Sequence, residues 1–269
     1  MTYTIHGPQH IDTTVKLPAS KSISNRALII QALAGDNVVP DNLSDCDDTK
    51  VIIEALKTMP ETIDIKASGT AMRFMTAYLS VSEGEHVLTG TDRMKQRPIA
   101  VLVDALRYLG ADIAYEGEAG FPPLHIKGRR LEGGYLEISG SISSQFISAL
   151  LLIGPMLEKG LELKMTDTII SRPYIDLTLC MMRDFGAAVE WTDVDTISVA
   201  PKPYTSRRYY IESDWSAGSY WYEIMALSDD SEATVRLEGL MDGSRQGDSV
   251  VKYIFSLLGV KTSFETTDP

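Results

Sequence analysis

The segment Lys21–Arg26 (KSISNR) places two cations and two serine hydroxyls at the predicted start of a helix. Arg26 lies about one turn beyond Ser22, so the two side chains reach the same side of that helix. A lysine, hydroxyls, a guanidinium and the free backbone N–H groups of a helix start together form a site for phosphate or carboxylate. An ordinary capped helix with two solvated cations is the alternative, and the spacing alone does not decide between the two.

A second helix start, Ser68–Arg73 (SGTAMR), has the same character. Gly69 has no side chain and lets a ligand approach the backbone closely. Arg73 falls within the first turn, where a positive charge is unfavourable against the helix dipole unless an anion or an acid pairs with it. This segment therefore also predicts an anion site.

A third helix start, Ser143-Ser144-Gln145, offers two hydroxyls and an amide. Such groups bind hydroxyls and phosphate oxygens without adding charge, and plain N-capping is the alternative. The acidic pair Asp47 and Asp48 begins another helix. Carboxylates suit the positive end of a helix dipole, so a structural role is expected for this pair.

Arg93, Lys95 and Arg97 form a cationic loop between two predicted elements. Arg97 stands at a helix entrance and is the stronger candidate for binding an anion. Arg93 and Lys95 fit a solvated loop equally well. Because the whole chain carries a formal charge of −12, a local group of cations must dominate at short range if the ligand is an anion.

The helix starts belong to a unit that recurs at intervals of roughly 70 residues. Each copy reads as a helix, a short β-type stretch, a polar loop and a second helix. The copies begin at Ala19, Ala67, Ser141 and Ser213. In the last three, the second helix is predicted to end at Gly110, Gly186 and Gly259. Alternating strands and helices predict an α/β (α+β) fold.

Prolines and small residues mark the boundaries of these elements. Ser22 or Ser24 can cap a helix that runs to Ala34, and Pro98 and Pro173 are each predicted to occupy a first helical position. The first helix of the third copy is expected over residues 144–157. An N-terminal strand is expected at residues 3–5, and the polar segment Pro201–Arg208 is the best candidate for a linker.

Composition excludes several classes of function. The chain has 269 residues, of which 44% are apolar and 23% charged, as in ordinary globular proteins. The negative charge argues against nucleic-acid binding. The sequence has no apolar run of membrane-spanning length and no signal segment at its start, so a cytoplasmic location is expected. Scattered histidines and two cysteines predict neither a metal site nor a disulfide framework, and no ATP- or NAD-binding motif is present.

Five segments in order resemble the signature motifs of the EPSP synthase family, the 3-phosphoshikimate 1-carboxyvinyltransferases. They are Lys21–Leu28, Gly69–Arg73, Arg93–Pro98, Ser141–Phe146 and Ser171–Ile175. The resemblance covers the whole chain but only about the first two-thirds of a family member. It implies transfer of the enolpyruvyl group of phosphoenolpyruvate to the 5-hydroxyl of shikimate 3-phosphate, with release of phosphate and without a cofactor.

The same resemblance implies two similar domains, each built from three βαβαββ units. Residues 20–212 are expected to form the first domain, and residues 1–19 with 213–269 part of a second, incomplete one. The full-length protein is expected to be a monomer. Because the family's acid–base residues come later in its sequence than this chain extends, the chain alone is expected to be inactive.

Roles follow for residues that match the family motifs. Those implied to contact shikimate 3-phosphate are Lys21, Ser22, Arg26, Ser143, Ser144, Gln145, Ser171 and Tyr174. Lys21 also reaches the second substrate and is the implied catalytic residue. Ser143, Ser144 and Ser171 would bind the phosphate of shikimate 3-phosphate, whereas Gln145 and Tyr174 would line the shared pocket.

The resemblance assigns phosphoenolpyruvate to Gly69 and Arg97, with Thr70 beside them. Two departures lie near this pocket: Ala67 stands where the family usually has an acidic or amide residue, and Phe74 where it usually has proline. Both affect any expectation about glyphosate, the family's inhibitor. Two other functions stay open: a non-catalytic anion-binding half-protein, and the related UDP-N-acetylglucosamine enolpyruvyl transferase, which uses a loop cysteine.

Overall fold

The computed structural model describes residues 3–4, 7–8, 10–35 and 38–265. In chain order, the elements are β1 (Asp12–Lys16), α1 (Lys21–Leu33), α2 (Asp47–Thr58), β2 (Thr62–Asp64), α3 (Gly69–Val81), β3 (Glu85–Thr89), α4 (Ala100–Tyr108), β4 (Asp112–Tyr115), β5 (Leu124–Lys127), β6 (Gly134–Ser139), α5 (Ser144–Ile153), β7 (Leu161–Thr166), α6 (Arg172–Asp184), β8 (Val189–Trp191), β9 (Thr196–Val199), α7 (Trp215–Leu227), β10 (Thr234–Glu238) and α8 (Val251–Ser256). The strand expected at residues 3–5 includes Ile5, which lies outside the described residues.

Contacts divide the chain into two units. Unit 1 comprises Met1–Ser20 and Glu212–Pro269, and unit 2 comprises Lys21–Ile211. Within the described residues, no helix is long and apolar enough to cross a membrane.

Unit 2 contains two copies of a βαβαββ unit with the same topology. The first sheet has the strand order β2-β3-β5-β4 and the second β6-β7-β9-β8. In each, the first pair of strands is parallel and the other two pairs are antiparallel. The predicted α/β class and the predicted duplication are therefore confirmed over residues 62–199. The strands β2, β8 and β9 were not predicted, because the repeating unit read from the sequence contained one short β-type stretch between its two helices. Among the described residues, the helix pair α1–α2 is accompanied by one isolated bridge, Asp41 to Tyr210.

Equivalent glycines end the second helix of each copy, as predicted. Gly110 and Gly186 have φ angles of 104° and 86°, a region that favours glycine. The residue after each glycine donates its N–H back into the helix, from Ala111 to the Leu106 carbonyl and from Ala187 to the Met182 carbonyl. This is the Schellman arrangement, which satisfies the last carbonyls and turns the chain toward the next strand.

Six helices of unit 2 pack in two rings. The inner helices α1, α3 and α5 contact one another, and each outer helix fills the groove between two inner ones: α2 between α1 and α3, α4 between α3 and α5, and α6 between α5 and α1. The inner helices are buried on nearly every side, whereas α2, α4 and α6 bury one face. The inner helices therefore bury polar side chains such as Asn25 and Thr76 as well as apolar ones, and these form hydrogen bonds within the bundle.

Several predicted boundaries were wrong by a few residues. Ser22 and Ser24 lie inside α1 and do not cap it; the Ser24 hydroxyl instead accepts the N–H of Ser44. Pro98 precedes α4 by two residues, and α5 ends at Ile153, followed by a 3-10 turn. Pro173 does fall in the first turn of α6.

The segment Pro201–Arg208 is not a linker. It belongs to unit 2, where Tyr204 is buried and donates its hydroxyl to the Leu152 carbonyl over 2.8 Å. The Arg207 carbonyl accepts from the Gln31 amide. The chain passes between the units at Ile211–Glu212, after this polar segment has ended.

Unit 1 joins the two ends of the chain through a parallel pair of strands, β1 and β10, with Asp12 opposite Thr234. Asp214 caps α7 by accepting the N–H groups of Ser216 and Ala217. Trp215 is fully buried beside the rings of Tyr222 and Phe264. The helices α7 and α8 and the turn that follows α8 nevertheless carry large apolar side chains that face solvent: Tyr220, Ile224, Leu227, Tyr253, Ile254, Leu257 and Leu258.

We expect this exposed apolar surface to make the 269-residue chain self-associate. Leu227 is 77% exposed and Leu257 86% exposed, so a charge at either position costs nothing in packing. Leu257→Glu should shift the sedimentation-velocity profile toward the monomer. Val194→Glu, at a position 74% exposed in unit 2, is the matched control and should leave the profile unchanged. Equal effects of the two substitutions would show that net charge, and not this surface, governs association.

Candidate functional site

Arg26 lies in the interior of unit 2, only 3% exposed, at the junction of α1, α5 and α6. Its Nε donates to Thr178 Oγ1 over 2.7 Å, and its Nη2 donates to Ser148 Oγ over 3.1 Å and to the Tyr174 carbonyl over 3.4 Å. Its Nη1 donates to the Ser22 carbonyl over 2.9 Å. Four of the five guanidinium hydrogens are thus bonded to described residues of the protein itself.

Burial lowers the pKa of Arg26 to about 10, although attraction to Tyr174 opposes the shift. Below that pH the side chain is a buried cation whose neighbours are hydroxyls, carbonyls and the ring of Phe74, 5.5 Å away. Hydrogen bonds and a π-face stabilise this charge in place of a carboxylate. Arg26 therefore fixes the first turns of α1 and α6 relative to each other.

Lys21 is the first residue of α1 and is exposed. Its Nζ lies 3.3 Å from Oδ2 of Asp48, which is in the first turn of α2. Asp48 thus contributes more than the structural role expected from the helix dipole, because it also holds the lysine at the helix start. A cavity of about 300 Å³ adjoins this point and is lined by Asp47, Asp48, Lys50, Val51, Ile65, Lys66, Ala67 and Ser68.

Gly69 is the first residue of α3 and lies against two guanidinium groups. A Cβ atom placed on Gly69 would be 2.6 Å from Nη1 of Arg73 and 2.6 Å from both Nη atoms of Arg97. Only hydrogen fits in this space. Ser68 caps the helix by accepting the N–H of Ala71. The two guanidinium groups therefore lie beside the capped start of α3.

The starts of α3 and α5 are joined directly. Gln145 Nε2 donates to Thr70 Oγ1 over 3.0 Å, and the Arg73 guanidinium stacks 4.9 Å from the centre of the Phe146 ring. Ser143 is the N-cap of α5 and accepts the N–H of Gln145. Thus the second and third predicted helix starts are adjacent in space.

Ser144, Ser171 and Tyr174 complete the predicted set. Ser144 is buried in the first turn of α5. Ser171 is the N-cap residue of α6, but its side chain makes no capping hydrogen bond within the described part of the chain. Tyr174 is exposed, and its carbonyl accepts from Arg26 and from Thr178. The Ser171 hydroxyl can therefore donate its O–H to a ligand oxygen and accept a hydrogen bond from a ligand.

The three cations of the loop before α4 have different surroundings, and Arg97 differs from Arg93 and Lys95. Arg97 is half-buried, and its guanidinium makes no hydrogen bond or ion pair with described residues. Arg93 and Lys95 are exposed, and Lys95 lies 3.8 Å from Asp92. The structure therefore brings Arg97, but not the other two, to the start of α3.

Three residues that join these helix starts were given no role from the sequence. They are Ser148 and Thr178, which hold Arg26, together with Phe146. Ser148 lies one turn beyond Ser144, a spacing that could have indicated it. In sum, hydroxyls, an amide and three arginines meet at the N-terminal turns of α1, α3, α5 and α6, which is a constellation suited to an anion.

Comparison with known proteins decides the family. A sequence model of the family described as EPSP synthase (3-phosphoshikimate 1-carboxyvinyltransferase) matches residues 5–63 and 59–268. This chain belongs to the EPSP synthase family. A 3-phosphoshikimate 1-carboxyvinyltransferase from Bacteroides fragilis is 56% identical over 267 residues, and one from Haemophilus influenzae is 38% identical over 285 aligned positions.

The EPSP synthase relatives are longer than this chain. The match covers 99% of the chain with the Bacteroides fragilis protein and 94% with the Haemophilus influenzae protein, but in both the chain spans 65% of the relative's length. A solved structure titled EPSP synthase from Acinetobacter baumannii superposes with a TM-score of 0.73 at 24% identity, over 86% of this chain and 57% of that one. This likeness supports the fold.

Proposed function

We propose that the protein to which this chain corresponds transfers the enolpyruvyl group of phosphoenolpyruvate to the 5-hydroxyl of shikimate 3-phosphate and releases phosphate. The observation that carries the proposal is the pair formed by Gly69 and the Arg97 guanidinium, which has no partner among the described residues. The names of the relatives agree with this activity. Phosphoenolpyruvate is a compact anion that such a pair can hold.

Shikimate 3-phosphate would lie across the starts of α1, α5 and α6. Lys21 and Ser22 would contact the substrate directly, and Ser143, Ser144 and Ser171 would bind its phosphate. One guanidinium hydrogen of Arg26 has no partner among the described residues, so the main contribution of Arg26 would be to hold Ser22 and Tyr174 in place. Gln145, bonded to Thr70, would lie between the two substrates.

Residues 20–212 would be the substrate-binding domain, and residues 1–19 with 213–269 part of the second domain. The full-length protein would act as a monomer in the cytoplasm and without a cofactor; these points stay predictions. The second enolpyruvyl transferase considered above requires a loop cysteine. Cys180 lies in α6, and Cys46, at the N-cap of α2, has its Sγ 3.3 Å from Thr49 Oγ1, so this alternative has less support.

A binding experiment tests the substrate assignment on the 269-residue chain. Titration calorimetry should show binding of shikimate 3-phosphate at least about tenfold tighter than binding of shikimate, because the serines and cations recognise the phosphate. Phosphate release from both substrates is not expected, since the resemblance places the acid–base groups outside this chain. Equal affinities for the two ligands would contradict the assignment.

A chimaera tests the activity itself. Joining this chain to the last third of the Bacteroides fragilis relative should give an enzyme that releases phosphate only when both substrates are present. The same chimaera with Arg97→Met should lose activity by at least about a hundredfold, because a charge-assisted contact to phosphoenolpyruvate is removed. A folded chimaera that binds shikimate 3-phosphate but releases no phosphate would favour a non-catalytic anion-binding protein.

A further inference from the structure

Arg73 is a buried cation with few partners. It is 5% exposed, its Nη1 donates to the Gly69 carbonyl over 2.9 Å, and its guanidinium stacks on the Phe146 ring. Its Nε is fully buried and has no hydrogen-bond partner among the described residues. An unpaired buried N–H of a charged group is costly, so a native structure that keeps one needs a compensating feature.

Arg26 shows what a satisfied arginine looks like at the same depth. Arg26 and Arg73 each lie in the N-terminal part of an inner helix, and each donates Nη1 to the carbonyl four residues earlier. Arg26 has three further hydrogen bonds to side chains and a carbonyl, whereas Arg73 has none to described residues. The difference is specific to the start of α3.

The charges around Arg73 are all unfavourable. A Cβ atom built on Gly69 would lie 2.6 Å from Nη1 of Arg73 and 2.6 Å from both Nη atoms of Arg97. The two guanidinium groups are therefore close together, with nitrogens separated by at most twice that distance. Burial and repulsion from Arg97 lower the pKa of Arg73 to about 10. The N-terminal end of the α3 dipole is also positive and adds to the repulsion on Arg73. No described carboxylate forms an ion pair with either arginine.

We propose that Arg73 is a positioning residue that makes the site at Gly69 selective for divalent over monovalent anions, with the bound anion supplying the missing counter-charge. Arg97 contacts the ligand, and Arg73 acts from behind Gly69 through its charge and by limiting where Arg97 can lie. The field of two guanidiniums stabilises a second negative charge on the ligand about as strongly as the first. This proposal rests on the proposed function in one respect only, that phosphoenolpyruvate is the natural divalent anion of the site.

Anion titrations of the 269-residue chain test this proposal. Sulfate serves as the divalent probe, nitrate as the monovalent probe, and phosphoenolpyruvate as the expected ligand. The native chain should bind sulfate at least about tenfold tighter than nitrate, and Arg73→Gln should lose most of that ratio, whereas Arg73→Lys should keep much of it. A purely structural brace between α3 and α5 would change the stability of the protein without changing the ratio.

Arg107→Gln is the matched control. Arg107 also stacks on an aromatic ring, that of Tyr115 at 5.0 Å, and donates to a carbonyl, that of Ile113, but it lies outside the site. This variant should retain the full preference for sulfate. If Arg73→Gln does not fold, the side-chain Nε–H resonance of Arg73 in the native chain decides, because it should shift on sulfate addition with the same midpoint as that of Arg97.

The outcomes separate the two proposals. Equal affinity for sulfate and nitrate in the native chain, a preference that survives Arg73→Gln, or an unmoved Arg73 resonance each overturn the role of Arg73. Loss of sulfate selectivity in Arg73→Gln, in a chain that does not bind phosphoenolpyruvate, supports the role of Arg73 and counts against the proposed function.

Discussion

Replacing Arg26 by methionine should lower the free energy of unfolding by about 3 kcal/mol and abolish measurable binding of shikimate 3-phosphate. Methionine fills a similar apolar volume but donates no hydrogen bond. The Tyr174 and Ser22 carbonyls lose a charged donor in a buried place, while Ser148 and Thr178 keep the 2.9 Å contact between their hydroxyls. The expected loss in the free energy of unfolding is therefore smaller than the sum for four separate hydrogen bonds.

Urea unfolding monitored by circular dichroism measures the first effect, and calorimetry the second. Arg208→Met is the matched control: Arg208 is an exposed arginine of the same unit, 3.3 Å from Asp41. Its replacement should change stability by less than about 0.5 kcal/mol and leave binding intact. If Arg26→Met is as stable as the native chain, Arg26 does not hold α1, α5 and α6 together.

The helix starts could be predicted from the sequence because their signals are local. Small residues before an apolar segment, and Gly110 or Gly186 after one, depend on the conformation of a few neighbouring residues. The missed strands are of a different kind. β2 and β8 have three residues each and owe their strand structure to pairing with β3 and β9. A sequence of three residues is too short to show the alternating pattern by which a strand is recognised.

The role of Arg26 could not be predicted for a related reason. Its position one turn beyond Ser22 correctly indicated a cation near a helix start. Its burial depends on Ser148 and Thr178, which follow it by 122 and 152 residues in the sequence. By contrast, the dipole argument for Arg73 needs only its own helix. It required an anion or an acid to pair with this charge, and among the described residues no acid does so.

Gly69→Ala should weaken binding of sulfate and phosphoenolpyruvate by about ten- to a hundredfold while changing the unfolding free energy little. The added Cβ would lie 2.6 Å from nitrogens of both Arg73 and Arg97, closer than real contacts allow. The clashing atoms are ends of side chains. The half-buried Arg97 can move aside and the buried Arg73 has to shift as well, so we expect the unfolding free energy to fall by no more than about 1 kcal/mol. The displaced guanidinium no longer meets an anion at the α3 start, which removes one charge-assisted contact.

Gly218→Ala provides the control, since Gly218 also lies near the start of a helix, α7, but its Cβ would come no closer than 3.4 Å to Leu240. That substitution should raise stability by up to about 1 kcal/mol through helix propensity and leave anion binding unchanged. Calorimetry and urea unfolding on both variants separate the two effects. Unaltered anion affinity in Gly69→Ala would mean that Arg97 binds from a position other than the one seen beside Gly69, and the assignment of phosphoenolpyruvate to this helix start would fail with it.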